Sequence, residues 1–243
     1  MLNIWIIARR EIKHYFVSPI AYVGMFVILL VIGVIFNLDL SAANIQQSVP
    51  SPQGTIYVLV FLLPFLSAAV MMRSIADEQK TGTLELILTA PVRDWEFIVG
   101  KWLSGFLFIM IIAAITWIYP LVLNQMVKPG IDQGLLVSGY LGVALVSATF
   151  VAIGVAVSSL FSNQIAAFLV TFVIFLLFWF INFPTQLLGP TTGDIITYIS
   201  LNSHFYNSFF QGIIQISDII YYISVTILAL FLATVSIESR RWR

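Results

Sequence analysis

Two histidines, no cysteine and a scatter of hydroxyl residues are what this 243-residue chain offers for nucleophilic or acid–base chemistry. His14 lies in a basic stretch near the start. His204 lies in a late polar stretch with no second His, Cys or carboxylate at ligand spacing, so neither is expected to hold a metal. Without cysteine there is no disulfide framework and no thiolate. A serine protease working inside a membrane needs a G-x-S-G setting, but Ser104-Gly105 and Ser138-Gly139 carry Trp102 and Leu136 where the leading Gly belongs. Lys80-Thr81-Gly82 copies the K-T-G of penicillin-binding enzymes, yet no S-x-x-K accompanies it. The phosphate-cradling loop of an ATPase, G-x-x-x-x-G-K-S/T, is missing too. No catalytic, cofactor-binding or metal-ligating residue is therefore expected, and no nucleic-acid partner.

What remains is charge, and it is concentrated. Eight charged residues fall within Arg73–Glu96, R-S-I-A-D-E-Q-K-T-G-T-L-E-L-I-L-T-A-P-V-R-D-W-E, between two long apolar runs. The preceding run can continue as a helix that exposes Asp77, Glu78, Gln79 and Lys80. Gly82 then suits the residue just past its end, with Lys80 in the last turn. Thr83 can N-cap a second helix with Glu85 in its first turn, and Pro91 ends it. That helix, Leu84–Ala90, is seven residues long, which is marginal alone in water, where roughly 12–15 are needed. Its large aliphatics, Leu84, Leu86, Ile87 and Leu88, flanked by charge, call for burial. The surface is either this chain's own span ends and lipid headgroups or a groove on a soluble partner.

The remainder must position that segment, and it is membrane. The chain is 60% hydrophobic and 9% charged, with a mean hydropathy of +1.02, where a soluble domain carries roughly a quarter charged residues. Six stretches approach the ~20 apolar residues of a helical span: Pro19–Leu38, Thr55–Met72, Trp102–Leu123, Leu135–Phe161, Gln164–Phe183 and Ile219–Ile237. None has an ionisable residue at its centre. A channel or ion-coupled carrier usually keeps such a group there despite a cost of about 2.5–3.5 kcal/mol. Arg9, Arg10 and Lys13 ahead of an apolar stretch, with Ser41-Ala42-Ala43 after it, imitate a cleaved leader. The run Ile20–Phe36, however, has 17 residues, long for a leader core, so a retained first span is expected. The expectation is an all-α integral membrane protein, one domain over residues 1–243.

The six-span arrangement puts ten Lys and Arg residues on one side and only Lys128 on the other. By the positive-inside rule both termini are cytoplasmic. Residues 1–18 are expected to form an amphipathic helix in the membrane interface: Ile4, Ala8, Ile12 and Phe16 share a face, Arg9, Arg10, Lys13 and His14 another, and Trp5, Tyr15 and Phe16 act as anchors. In the fourth span Ala144, Ala148, Ala152 and Ala156 recur every four residues, the spacing of close helix packing in lipid. The fifth is crowded with Phe168, Phe172, Phe175, Phe178, Trp179, Phe180 and Phe183, read either as a lipid belt or as a path lining or subunit interface. Pro64 and Pro120 are expected to kink their spans. Residues 184–218 are too polar to span and too apolar to float free, which suggests short helices on or dipping into the outer leaflet.

The segment's residues also resemble the signature of ABC-2-type transporter permease subunits: an acid, a base, Gly-Thr-Leu-Glu, aliphatics and Pro, matched by Glu78, Lys80, Gly82, Thr83, Leu84, Glu85, Leu86, Leu88 and Pro91. R-E-I-K-H-Y-F-V-S-P-I-A-Y (Arg10–Tyr22) and S-H-F-Y-N-S-F-F-Q-G-I-I (Ser203–Ile214) resemble the gliding-motility-associated permease branch, kin to the permease of nitrous-oxide-reductase maturation. The resemblance implies a bacterial or archaeal cytoplasmic (inner) membrane protein with six spans, an interfacial helix and small re-entrant helices before the last span. Within residues 73–97 it implies a coupling helix seated on an ABC ATPase; Asp77 and Ile87, outside the matched positions, are also expected among the coupling residues. It further implies two ATPase copies that bind ATP and Mg, a second permease, and export as the direction. The rival classes are a six-span intramembrane enzyme and an ATP-independent membrane scaffold or carrier.

The orientation has a direct test. In this cysteine-free chain, a cysteine introduced at Gln53 or Asp194 is expected to react with an impermeant thiol reagent from outside the cell, and one at Gln79 is not. Outside labelling at Gln79 would overturn the topology.

Overall fold

In the computed structural model, which describes residues 2–46, 49–89, 91–128, 130–181 and 190–241, every element among the described residues is helical. Helix α1 (Leu2–Val17) has the predicted bounds. Ala8 is buried, Ile4, Ile12 and Phe16 are half-buried, and Arg9, Arg10, Lys13 and His14 are exposed. The apolar face lies on α6 (Asp94–Thr116). Tyr15 and Phe16 pack against Phe108 of that helix, with ring centroids 5.3 and 5.8 Å away. These two are therefore protein contacts and not the interfacial anchors expected of them, whereas Trp5 stays exposed. Burial, with the Glu11 carboxylate adding to it, pushes the Tyr15 phenol well above the ordinary tyrosine range.

Five helical stretches are long and apolar enough to cross a membrane: Ala21–Ala43, Gln53–Thr81, Asp94–Met126, Gln133–Leu160 and Ile216–Arg240. The first lies in α2 (Pro19–Gln46), which outruns the predicted end at Leu38. The second joins α3 (Gln53–Met71) to α4 (Ala76–Thr81). The third joins α6 to α7 (Ile118–Met126), the fourth is α8 (Gln133–Leu160) and the fifth lies in α12 (Ile216–Arg241). The remaining expected span forms α9 (Gln164–Phe180), of 17 residues. At 1.5 Å per residue it covers about 25 Å of the ~30 Å hydrocarbon layer, so among the described residues five helices reach the full length and α9 lies at the lower limit. Its last expected residues, 182 and 183, lie outside the described set.

Only one of the two span prolines ends a helix. Pro120 has no N–H to give the Thr116 carbonyl, and the break between α6 and α7 falls at Trp117. α3 runs unbroken through Pro64, where the Ser67 hydroxyl donates to Leu63 O at 2.6 Å.

α8 is the centre of the bundle: α3, α6, α9 and α12 pack around it, and it is the most buried of the five candidate spans. Asp132 caps its start, accepting from the backbone of Gly134 and Leu135 at 2.8 and 3.2 Å. The predicted alanine stripe is only partly the packing seam. Ala152 is fully buried, but Ala144, Ala148 and Ala156 are half-buried. A close approach to the α3 backbone comes at Gly154, where a Cβ would lie 2.7 Å from Met71 Cβ, a contact that even alanine cannot make. Hydroxyl and indole donors add the polar links that helices in lipid use. Thr149 and Thr226 share a hydrogen bond at 3.0 Å to α12, and the Trp102 indole N–H donates to Ala148 O at 2.9 Å.

The α9 aromatics are helix–helix packing. Phe168 and Phe172 meet Phe65 edge-on, Trp179 meets Phe61 the same way, and Phe175 is buried against Phe150 at 4.5 Å. Phe180 is exposed.

Of the predicted outer segment, residues 184–189 lie outside the described set. The rest forms α10 (Pro190–Ile199), α11 (Leu201–Tyr206) and a 3₁₀ turn, Phe209–Gln211. Phe205 and Phe209 anchor it in the core. The fold supplies His204 with the carboxylate that its sequence neighbourhood lacks. Its Nδ1 is 2.7 Å from Asp218 Oδ1, its Nε2 is 2.8 Å from Tyr198 O, and the ring stacks on Tyr221. A carbonyl oxygen can only accept, so Nε2 carries a proton. The histidine is a buried strut joining α10, α11 and α12.

The seam at Gly154 sets an expected ranking. Gly154→Val should destabilise the detergent-solubilised protein by about 1–3 kcal/mol through overpacking, and Ala148→Leu by less. Equal thermal midpoints for both variants and the parent would contradict this packing.

Candidate partner-docking site

The charged segment begins where α3 ends. The stretch Gln53–Thr81 has 29 residues, more than the ~20 that a span needs, and a turn at residues 72–75 divides it. Beyond the turn is α4, which carries Asp77, Glu78 and Lys80. Three neighbours fasten it. The Ser158 hydroxyl near the end of α8 accepts from the backbone of Ile75 and Ala76, both at 3.1 Å, in place of a local cap. The Gln79 side chain donates to Ser159 O at 2.8 Å. Asp77 accepts from Gln164 at the start of α9.

The strongest fastening is ionic. Lys101 of α6 is 2% exposed. Its Nζ lies 2.7 Å from Glu78 Oε1 and 3.0 Å from Glu11 Oε1 of α1. One buried ammonium thereby ties α1, α4 and α6 together. Such a charge is tolerable only because both carboxylates stay with it. A second link runs beside it: Asn3 of α1 donates to Glu96 of α6 at 3.0 Å, and the same carboxylate accepts from Arg93 N at 3.3 Å.

Gly82 ends α4 at φ 72°, the left-handed conformation expected of it. Helix α5 (Thr83–Leu88) follows at once. Thr83 is its first residue and not the free cap predicted: with only Gly82 between the helices, its hydroxyl turns back to Glu78 O at 3.4 Å. The aliphatics divide. Leu84 is buried in the chain's own core. Leu86 is 71% exposed, as are the side chains of Lys80, Glu85 and Pro91. The side chains of Ile87 and Leu88, and Ala90 as a whole, lie outside the described set. The site is thus a six-residue helix that presents an exposed leucine from a base clamped to α1, α6, α8 and α9.

Lys101 and Glu11 are the residues that sequence reasoning missed; Lys101 counted only as a flanking positive charge. A faint signal existed. Glu11 falls on the Ile4–Ala8–Ile12 side of α1 instead of among its arginines, and a carboxylate on an apolar helix face needs a buried cation.

No group of three or more metal-ligating side chains occurs among the described residues. A family model described as "ABC-2 family transporter protein" matches residues 5–237. No curated protein matches the chain.

Lys101→Met removes the shared cation and strands two part-buried carboxylates, a change expected to cost up to about 3 kcal/mol. Hydrogen exchange across residues 76–88 should accelerate while the span of α8 stays protected. Unchanged exchange in that segment would show that the ion cluster does not hold it.

Proposed function

The chain belongs to the ABC-2 family of transporter proteins, and on that footing we propose that it is the membrane permease subunit of an ATP-driven exporter whose energy comes from a separate ABC ATPase. The observation that carries this reading is Leu86. A large aliphatic side chain, 71% exposed, sits on a helix too short to be stable alone and clamped at its base to four other helices. Leu84 cannot serve a partner, since it packs inward, so Leu86 and its exposed neighbours Glu85 and Lys80 form the docking tip. Closure of a partner against that tip pushes on α4. Through Lys101 the push reaches α6 and α1, and through Ser158 and Gln164 it reaches α8 and α9.

The proposal extends to the assembly. Two ATPase copies that bind ATP and Mg would serve two permeases, identical or paired with a relative, in a bacterial or archaeal inner membrane. Both termini would be cytoplasmic, α9 would complete a sixth crossing, and α1 would lie in the interface, where exposed Trp5 and Ile6 beside Arg9 and Lys13 suit headgroups. The gliding-motility-associated branch is the proposed subfamily, supported by the Arg10–Tyr22 and Ser203–Ile214 stretches.

Leu86→Asp tests the reading. Burying one such side chain is worth about 1.5–3 kcal/mol, so ATPase co-purification should fall about 10- to 100-fold, with membrane insertion intact. Stoichiometric recovery of the ATPase with normal transport would sink the assignment and leave the segment a headgroup-level connector.

A further inference from the structure

A cavity of about 750 Å³ opens between α2 and α3 and runs up to α1, α4 and α6. α2 is the least buried of the five candidate spans. The inner walls are apolar: Val27 and Val31 from α2, Leu62, Leu66 and Val70 from α3. A Cβ placed on Gly24 meets nothing within 4 Å, so the space reaches the helix backbone.

The mouth is charged, and its charges are unevenly engaged. Glu11 and Glu78 are held by Lys101, and Asp77 by Gln164. Arg10 and Arg73 also line the mouth. Both are exposed and neither forms an ion pair among the described residues. The depth is informative. Arg73 and Leu62 both line the cavity, at its mouth and deep in its wall, eleven positions apart on or just past α3, about 16 Å at 1.5 Å per residue. Ala21 to Val31 along α2 gives about 15 Å by the same measure. Half of the ~30 Å hydrocarbon layer is about 15 Å, the depth of one leaflet.

We propose that this cavity binds a phospholipid drawn from the leaflet at the charged end, its phosphate on Arg10 and Arg73 and one acyl chain lying between α2 and α3. Guanidinium groups bind phosphate oxygens through paired donors. Apolar walls gain little over lipid neighbours inside a bilayer, so the arginines supply the preference and the walls the fit. The site rests on the same reading as the proposed function, that the charged end lies at headgroup level.

The test uses the full chain in nanodiscs containing phosphatidylglycerol with a photoactivatable acyl chain. Label is expected on Val27, Val31, Leu62 and Leu66 in excess of the outward face of α12, at Ile227 and Phe231. Arg10→Gln with Arg73→Gln should lower cavity labelling at least about tenfold, the loss expected when charge-assisted hydrogen bonds go. Gly24→Phe, whose Cβ meets nothing within 4 Å, should block labelling at an unchanged thermal midpoint. Equal labelling of cavity and α12 in the parent, or labelling indifferent to these variants, would overturn the site as ordinary boundary lipid. A crosslink from position 27 to a second copy of the chain would overturn it in favour of a protein occupant. ATPase co-purification is scored on the same variants. A labelled cavity in a chain that captures no ATPase sinks the transporter reading alone, and an unlabelled cavity in a chain that captures the ATPase sinks the lipid site alone.

Discussion

A single buried ammonium decides how the membrane part of this protein connects to its projecting part. Lys101 sits between Glu78 and Glu11 and is almost wholly shielded from solvent. As a source of stability such a cluster is a poor choice, because taking three charges out of water offsets most of their attraction, and apolar replacements often do as well. Its value lies in specification. A buried charge has few acceptable partners, so α1, α4 and α6 have one acceptable register, and movement of one is felt by the other two. An apolar contact at the same place would let the helices slide.

The bundle behind that joint is built for rigidity by the means available in lipid. Apolar burial drives little association there, so helices hold by close approach and by polar links that have no better partner. α8 has both. Gly154 admits Met71, Thr149 meets Thr226, and an indole reaches the Ala148 carbonyl. Its end then supplies the Ser158 hydroxyl that caps α4. The same helix is thus the centre of the membrane core and the seat of the docking segment. At the opposite end the His204–Asp218 contact ties the short outer helices to α12, so both ends are polar joints on an apolar shaft.

Many apolar side chains along the spans are exposed, as a lipid-facing surface requires, and two exposed features do not fit that account. Leu86 stands out on α5, and α2 stands away from its neighbours along a cavity of one leaflet's depth. On the proposed topology the first would lie outside the hydrocarbon and suit a soluble partner, and the second within it and suit a lipid.

The sequence by itself determined what depends on neighbours along the chain. Composition settled a multi-pass helical membrane protein, the i, i+4 pattern settled the two faces of α1, and Gly82 between a charged helix end and Thr83 settled the left-handed turn. The motif Gly82 to Pro91 pointed to the family that the whole-length match shows. Only the tertiary structure decided what depends on residues far apart. Glu11 and Lys101 are ninety positions distant, and no local pattern pairs them. Leu84 turns in and Leu86 out because a six-residue helix is shorter than two turns and carries no period to read. The alanine stripe was legible, yet the seam settled on Gly154, since Met71 reaches α8 there and leaves no room for a methyl group. α9 ends at Phe180, short of its hydropathy run, since a run marks where a helix can lie in lipid and not where its backbone stops being helical. Local chemistry fixes elements and faces; register, pairing and exposure are properties of the packed whole.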